Sequence, residues 1–221
     1  MSRRPSAGTA AAPKLDVERG TRHLRRKDPT MRELIKRLGK LDLEARRRGR
    51  PADAYGALVR SIVGQQLSTK AARTIYERMT QLWDGRTPTP QELLDADPDA
   101  IRAAGLSRPK IGYLRSLAEH VLSGELELDR FDALSDEEIA AELTAVKGLG
   151  QWTADMFLIF HLGRPDVLPV GDLGVRNAAR EVYGLEQLPT AVELEEIGEP
   201  WRPHRSLAAL YLWRSLDNEP A

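Results

Sequence analysis

The residues best suited to chemistry lie in two short segments. The first runs from Leu143 through Lys147-Gly148-Leu149-Gly150-Gln151-Trp152 to Asp155. A helix beginning near Asp136 is expected to end at Lys147, with Gly148-Leu149-Gly150 as a tight turn and a second helix starting at once. Glycine at both flanks of the turn permits positive φ and close backbone approach. The amides of such a turn and of the next helix N-terminus point one way and can bind an anion such as a phosphate. The second segment, Val167 to Arg176, places Asp172 at an expected helix start. Aspartate there is a common N-cap, and Gly-x-Gly between helices is also an ordinary hairpin turn. For Asp172 the capping reading and a chemical reading are compatible, because a helix N-terminus holds a carboxylate in place and favours its charge. A fixed anion stabilises the positive charge that builds on a sugar as a glycosidic bond breaks, and it can orient or deprotonate an attacking water.

The elements that must position these groups read as helices throughout. From Met31 on, apolar residues recur at three- to four-residue spacing, as in Leu34, Leu38 and Leu41. Helix starts are marked by Ser68, by Asp97-Pro98, and by capping boxes at Thr89-Pro90-Gln91-Glu92, Ser135 to Glu138 and Thr190 to Glu193. Gly and Pro fall between these segments rather than inside them. No convincing alternating strand is present. The expected fold is all-α, about ten helices in a two-lobed bundle, the N- and C-terminal helices packing together and the middle forming a second lobe. Trp83 and Trp201 read as packing residues.

Composition removes several chemistries. The 221 residues contain no cysteine, so disulfides, thiol nucleophiles and cysteine-bound metals or clusters are absent. Four scattered histidines, His23, His120, His161 and His204, lack metal-like spacing. No apolar run nears the roughly 18 residues of a membrane span, and the first residues lack the apolar region of a secretory signal. Net charge is zero, yet residues 1–50 hold 16 Lys/Arg against 6 Asp/Glu, leaving 17 against 27 for the rest. A basic arm can bind a phosphate backbone without sequence preference, or act only as a solvated tail. The expected organisation is a disordered basic tail at 1–29, one domain at 30–217, and a short tail at 218–221.

The hairpin followed by Asp172 resembles the helix-hairpin-helix DNA glycosylases, and in detail the AlkA-type 3-methyladenine DNA glycosylase II family. The resemblance spans about residues 50–216, through Ser61-Ile-Val-Gly-Gln-Gln-Leu-Ser68 with Ala71-Ala72, then Gly105-Leu-Ser-Arg-Pro-Lys110 with Tyr113, and finally Trp201-Arg-Pro-His-Arg-Ser206 with Tyr211-Leu-Trp213. It implies that Asp172 is the catalytic carboxylate and that Gly148, Leu149, Gly150 and Gln151 hold a DNA phosphate. It implies a monovalent cation on the main-chain carbonyls of Thr144, Val146 and Leu149, and no cofactor. Trp152, Trp213, Met156 and Tyr211 would line the base pocket; Met156 stands where some members have tyrosine. Electron-rich rings attract the positive charge of an alkylated purine. Trp152 also stands where bifunctional relatives have the lysine that forms a Schiff base, so the implied chemistry is hydrolytic and without lyase activity. Gln65, Gln66 and Leu67 would enter the duplex, with Leu67 or Gln66 as the wedge, and Lys110 and Arg176 would contact phosphates.

The implied partner is double-stranded DNA containing alkylated bases, with no membrane involvement, and the protein is expected to be a monomer. Its location would be the cytoplasm, at the nucleoid, if the source is bacterial. Two other readings stay open on sequence alone: a helix-hairpin-helix module that holds DNA without chemistry, and a glycosylase for another damaged base.

Overall fold

The computed structural model describes residues 13–43 and 50–216. Twelve α-helices, and no strand, occur among the described residues. The first two are α1 (Val17–Lys27) and α2 (Pro29–Leu38). A middle group comprises α3 (Ala54–Gly64), α4 (Thr69–Thr80), α5 (Pro90–Asp95), α6 (Pro98–Ala103), α7 (Arg108–Ser123), α8 (Asp136–Ala145) and α9 (Gln151–Phe157). The last three are α10 (Leu173–Tyr183), α11 (Ala191–Gly198) and α12 (Arg205–Leu216). The capping chemistry accounts for the boundaries. Thr89, Ser135 and Thr190 each form a complete capping box with the glutamate three residues on, and Ser68, Asp97 and Asp172 each accept an amide of their helix's first turn.

Packing divides the helices into two sets. α2 packs on α1, α10 and α12, while α7 packs on α3, α5 and α6, and α9 packs on α3 and α8. The N- and C-terminal helices therefore form one lobe and the middle helices the other, over one continuous apolar core. Trp201 is fully buried in that core and Trp83 packs half-buried against it.

The expected tail at 1–29 is corrected from residue 17 onward. Asp16 caps α1, Leu24 is fully buried, and Gly20 lies against Leu207 and His204 of the C-terminal lobe. Val17, Gly20 and Leu24 share one face, so a strongly basic sequence still seats a helix through three small or apolar contacts. Residues 1–12 of that expected tail, and 217–221, lie outside the described residues.

Candidate active site

Asp172 sits at the seam between the lobes. Its Oδ1 accepts the Val175 amide (2.8 Å), which caps α10, and also the indole N–H of Trp213 from α12 (2.9 Å). Its Oδ2 accepts the indole N–H of Trp152 from α9 (2.6 Å). Three donors from three helices fix this carboxylate, two of them from the tryptophans expected in the pocket. Gly174 makes the approach possible: a Cβ there would stand 2.9 Å from Asp172 Oδ1 and 3.3 Å from the Trp213 ring. The N–H groups of both indoles are thus committed to Asp172. Trp152 is 39% exposed, and Leu173 beside Asp172 is 58% exposed. Phe160 stacks on Trp213 (centroids 5.6 Å apart), and the Arg50 guanidinium lies 4.3 Å above the Phe160 ring.

The hairpin precedes Trp152 directly. α8 ends at Ala145, two residues earlier than expected, and Leu149 N–H turns back to the Val146 carbonyl (3.0 Å). Gly148 has φ +92°, and a Cβ there would lie 2.1–2.6 Å from the Tyr113 side chain, so only glycine fits. Gly150 is extended and a Cβ would meet nothing within 4 Å, which leaves its outer side open to an approaching ligand. Among the described residues, the N–H groups of Gly148, Gly150, Gln151 and Trp152 have no main-chain or side-chain acceptor. Unpaired amides of this kind at a helix start suit an anion. The carbonyls of Thr144 and Leu149 likewise accept no main-chain N–H, and that of Val146 accepts one. Carbonyls at the end of α8 fit a monovalent cation, which would add positive charge behind a bound phosphate. No cluster of three His, Asp or Glu able to hold a metal occurs among the described residues.

Gln65 joins α3 to this hairpin. Its Nε2 donates to the Gly148 carbonyl (2.9 Å) and lies 3.4 Å from Thr153 Oγ1. Gln66 has φ +57°, in the left-handed region, and Leu67 is 38% exposed. Held left-handed, a glutamine carries strain of about 1 kcal/mol or more.

One expected site residue, Tyr211, stands elsewhere, and two expected phosphate contacts also hold carbonyls of the chain itself. Tyr211 is fully buried in the core, with its hydroxyl 3.4 Å from Thr21 Oγ1, so it is not exposed beside Trp152. Lys110 donates to the Val63 carbonyl (2.8 Å) and satisfies the end of α3. Its burial pushes the ammonium below the usual lysine range. Arg176 donates through Nε to the Pro189 carbonyl (2.7 Å) and holds the loop before α11. Each of these cations makes one hydrogen bond inside the chain. Met156 is half-buried on α9, one turn after Trp152. Gln151 is exposed and donates to Asp155 Oδ1 (2.8 Å).

Phe160, Arg50 and Asp155 belong to the neighbourhood without a sequence signal. Phe160 faces Trp213 because α9 runs into a π turn at Leu158–Leu162, a register that no apolar spacing reveals. Asp155 is 7% exposed, and burial, with a smaller contribution from the Asp172 charge, raises its carboxyl above the usual range. A cavity of about 640 Å³ lined by Asp53, Tyr55, Pro88, Val121 and Leu128 contains none of these groups.

A seam carboxylate, two indoles and a hairpin of open amides define a nucleic-acid processing site. The chain belongs to the HhH-GPD superfamily of base excision DNA repair proteins, whose pattern matches residues 59–203. It is 37% identical over 195 residues to DNA-3-methyladenine glycosylase 1 of Schizosaccharomyces pombe, covering 87% of this chain and 85% of that one. It is 30% identical to DNA-3-methyladenine glycosylase 2 of Escherichia coli, covering 73% of this chain and 57% of that one. The structure of the S. pombe 3-methyladenine DNA glycosylase in complex with abasic DNA superposes with a TM-score of 0.83 at 35% identity, covering 92% of this chain and 98% of that one.

Proposed function

We propose that this protein is a monofunctional DNA glycosylase that hydrolyses the N-glycosidic bond of alkylated purines, such as 3-methyladenine and 7-methylguanine, in duplex DNA, the first step of base excision repair. The observation that carries the reading is the carboxylate of Asp172, pinned by both indoles beside the open amides of the hairpin. The amides of Gly148, Gly150 and Gln151 hold a phosphate next to the lesion, and a cation on the Thr144, Val146 and Leu149 carbonyls would reinforce that charge. The damaged nucleotide leaves the stack, and the faces of Trp152 and Trp213 receive its positively charged base.

An alkylated purine departs with the electrons of its glycosidic bond and becomes neutral, so little acid assistance is needed. Positive charge moves to the sugar, where Asp172 stabilises it; water then adds at C1′ and gives its proton to the Asp172 carboxylate. Trp152 has no amine for a Schiff base, which supports hydrolysis without strand cleavage. The protein acts as a monomer, and light scattering with and without a duplex tests that.

The test is base release from methylated duplex DNA, resolved by chromatography, with wild type beside Asp172→Asn. Release of 3-methyladenine or 7-methylguanine by wild type alone, with the strand intact until alkali is added, is expected. Strand cleavage without alkali would overturn the monofunctional reading. Tight DNA binding with no release would move the assignment to a different lesion, and then to a non-catalytic module. Binding should weaken steeply with salt; a flat dependence contradicts phosphate clamping.

A further inference from the structure

The segment Gly64-Gln65-Gln66-Leu67 is a turn in which the Leu67 N–H reaches back to the Gly64 carbonyl (3.2 Å). Gln65 has φ −52° and ψ 132°, and Gln66 has φ +57°, the angles of a type II turn. The third position of such a turn favours glycine, yet here it holds glutamine. A strained conformation persists where its surroundings over-determine it. The brace is Gln65, whose side chain crosses to a residue 83 positions away: Nε2 donates to the Gly148 carbonyl and approaches Thr153 Oγ1. Gly148 is a rigid anchor, because its backbone lies against the Tyr113 ring. Thr153 is buried and directly follows Trp152, which holds Asp172. A single side chain therefore ties the loop carrying exposed Leu67 to the segment carrying the phosphate-facing amides and one donor to the catalytic carboxylate.

We infer that Gln65 is a positioning residue that braces the insertion loop against the hairpin, so that extrusion of a paired nucleotide depends on its hydrogen bond. The inference rests on the glycosylase reading above. A wedge on an unbraced loop yields when it meets stacked bases; a wedge fixed to the element that grips the phosphate pushes against the same strand that it separates. Gln65 thus acts on the opening of the base pair and only indirectly on bond cleavage. An unpaired lesion, already cheap to extrude, should need the brace far less than a paired one.

The experiment compares wild type, Gln65→Met, Leu67→Ala and the double variant. Gln65→Met keeps side-chain length and removes the donor. Single-turnover release of 7-methylguanine is measured from two duplexes, one pairing the lesion with cytosine and one holding it in a single-base bulge. Gln65→Met is expected to slow release from the paired duplex roughly tenfold and from the bulge no more than about twofold. Where Leu67→Ala itself slows release from the paired duplex, the double variant should be no slower than Leu67→Ala by more than about twofold, because both then act through one wedge. Equal losses on both duplexes, or multiplicative losses in the double variant, would overturn the inference.

Melting temperatures establish that each variant is folded. If Gln65→Met is not, Gln65→Glu, which sets a carboxylate against the Gly148 carbonyl, is read by the same ratio. If wild type releases no 7-methylguanine from either duplex, the alkylated-purine reading fails. The brace is then read from the fluorescence rise of 2-aminopurine beside a tetrahydrofuran site on binding. A rise lost in Gln65→Met supports the brace, and an equal rise in both proteins overturns it.

Discussion

Asp28 and Asp172 are built alike and serve opposite ends. Each caps a helix, and each accepts three hydrogen bonds, one from a first-turn amide and others from aromatic side chains. Asp28 takes the Met31 amide (3.0 Å), the Trp201 indole (2.8 Å) and the Tyr183 hydroxyl (2.5 Å). Asp172 takes the Val175 amide and the indoles of Trp213 and Trp152. Asp28 is buried beside a fully buried tryptophan, and it locks α2 to α10 and to the turn before α12. Asp172 is only half-buried and is held by a tryptophan that is itself exposed. The hydrogen-bond pattern is therefore silent about function; exposure separates the two carboxylates, and it is what the proposed catalytic role of Asp172 requires. Burial of the Tyr183 hydroxyl, and its donation to Asp28, push its ionisation well above the usual tyrosine range, so that node holds as a fixed donor–acceptor set across neutral pH.

The comparison breaks most sharply at the two aspartates. Asp172→Asn should slow base release about a hundredfold or more while duplex affinity persists, measured by single-turnover release and by binding to an abasic duplex. Asp28→Ala should leave release per folded molecule intact and cost about 3 kcal/mol of stability, because buried donors lose a charged acceptor. For a chain of this size that is roughly 6–12 °C in Tm, read by thermal denaturation. Asp172→Ala, whose donors can turn to water, should cost only about 1 kcal/mol as a lost N-cap. Equal destabilisation by the two alanine variants would erase the distinction.

The tryptophans sharpen it further. Trp213→Phe should slow release roughly tenfold, as one charge-assisted hydrogen bond is lost, with a small effect on Tm. Trp201→Phe should lower Tm and leave the rate of release unchanged.

The smallest effect concerns Asp155, whose carboxyl is raised chiefly by burial and then by the Asp172 charge. A raised acid binds its proton more tightly in the folded state, so it lowers stability as pH rises from the usual aspartate value through the raised one. Asp155→Asn should therefore gain stability over wild type across that rise and lose the advantage in strong acid. Parallel Tm–pH curves for the two proteins would refute it.

What the sequence made legible is local or sharply constrained. Capping boxes at Thr89, Ser135 and Thr190 act over three residues, so their helices start where the spacing predicts. Asp172 shows as an N-cap for the same reason, and Gly148 because its turn tolerates no side chain. Long-range partners were not legible. The pairing of Trp152 and Trp213 through Asp172 spans three helices; the resemblance placed both rings in the pocket without showing that their N–H groups hold the carboxylate. That Lys110 and Arg176 each donate to a main-chain carbonyl was not legible either, because a basic side chain carries no sign of which carbonyl it will satisfy. Tyr211 shares a helix with Trp213, but two residues along an α-helix turn the side chain by about 200°, into the core. α1 was hidden by its charge, since its few inward contacts include a glycine.

The π turn at Leu158–Leu162 has one more consequence. Each residue of an α-helix advances direction by about 100° and rise by about 1.5 Å, so deleting one residue ahead of Phe160 would swing its ring off Trp213 without changing a single pocket side chain. The aromatic stack beside Trp213 therefore depends on a residue count as much as on residue type.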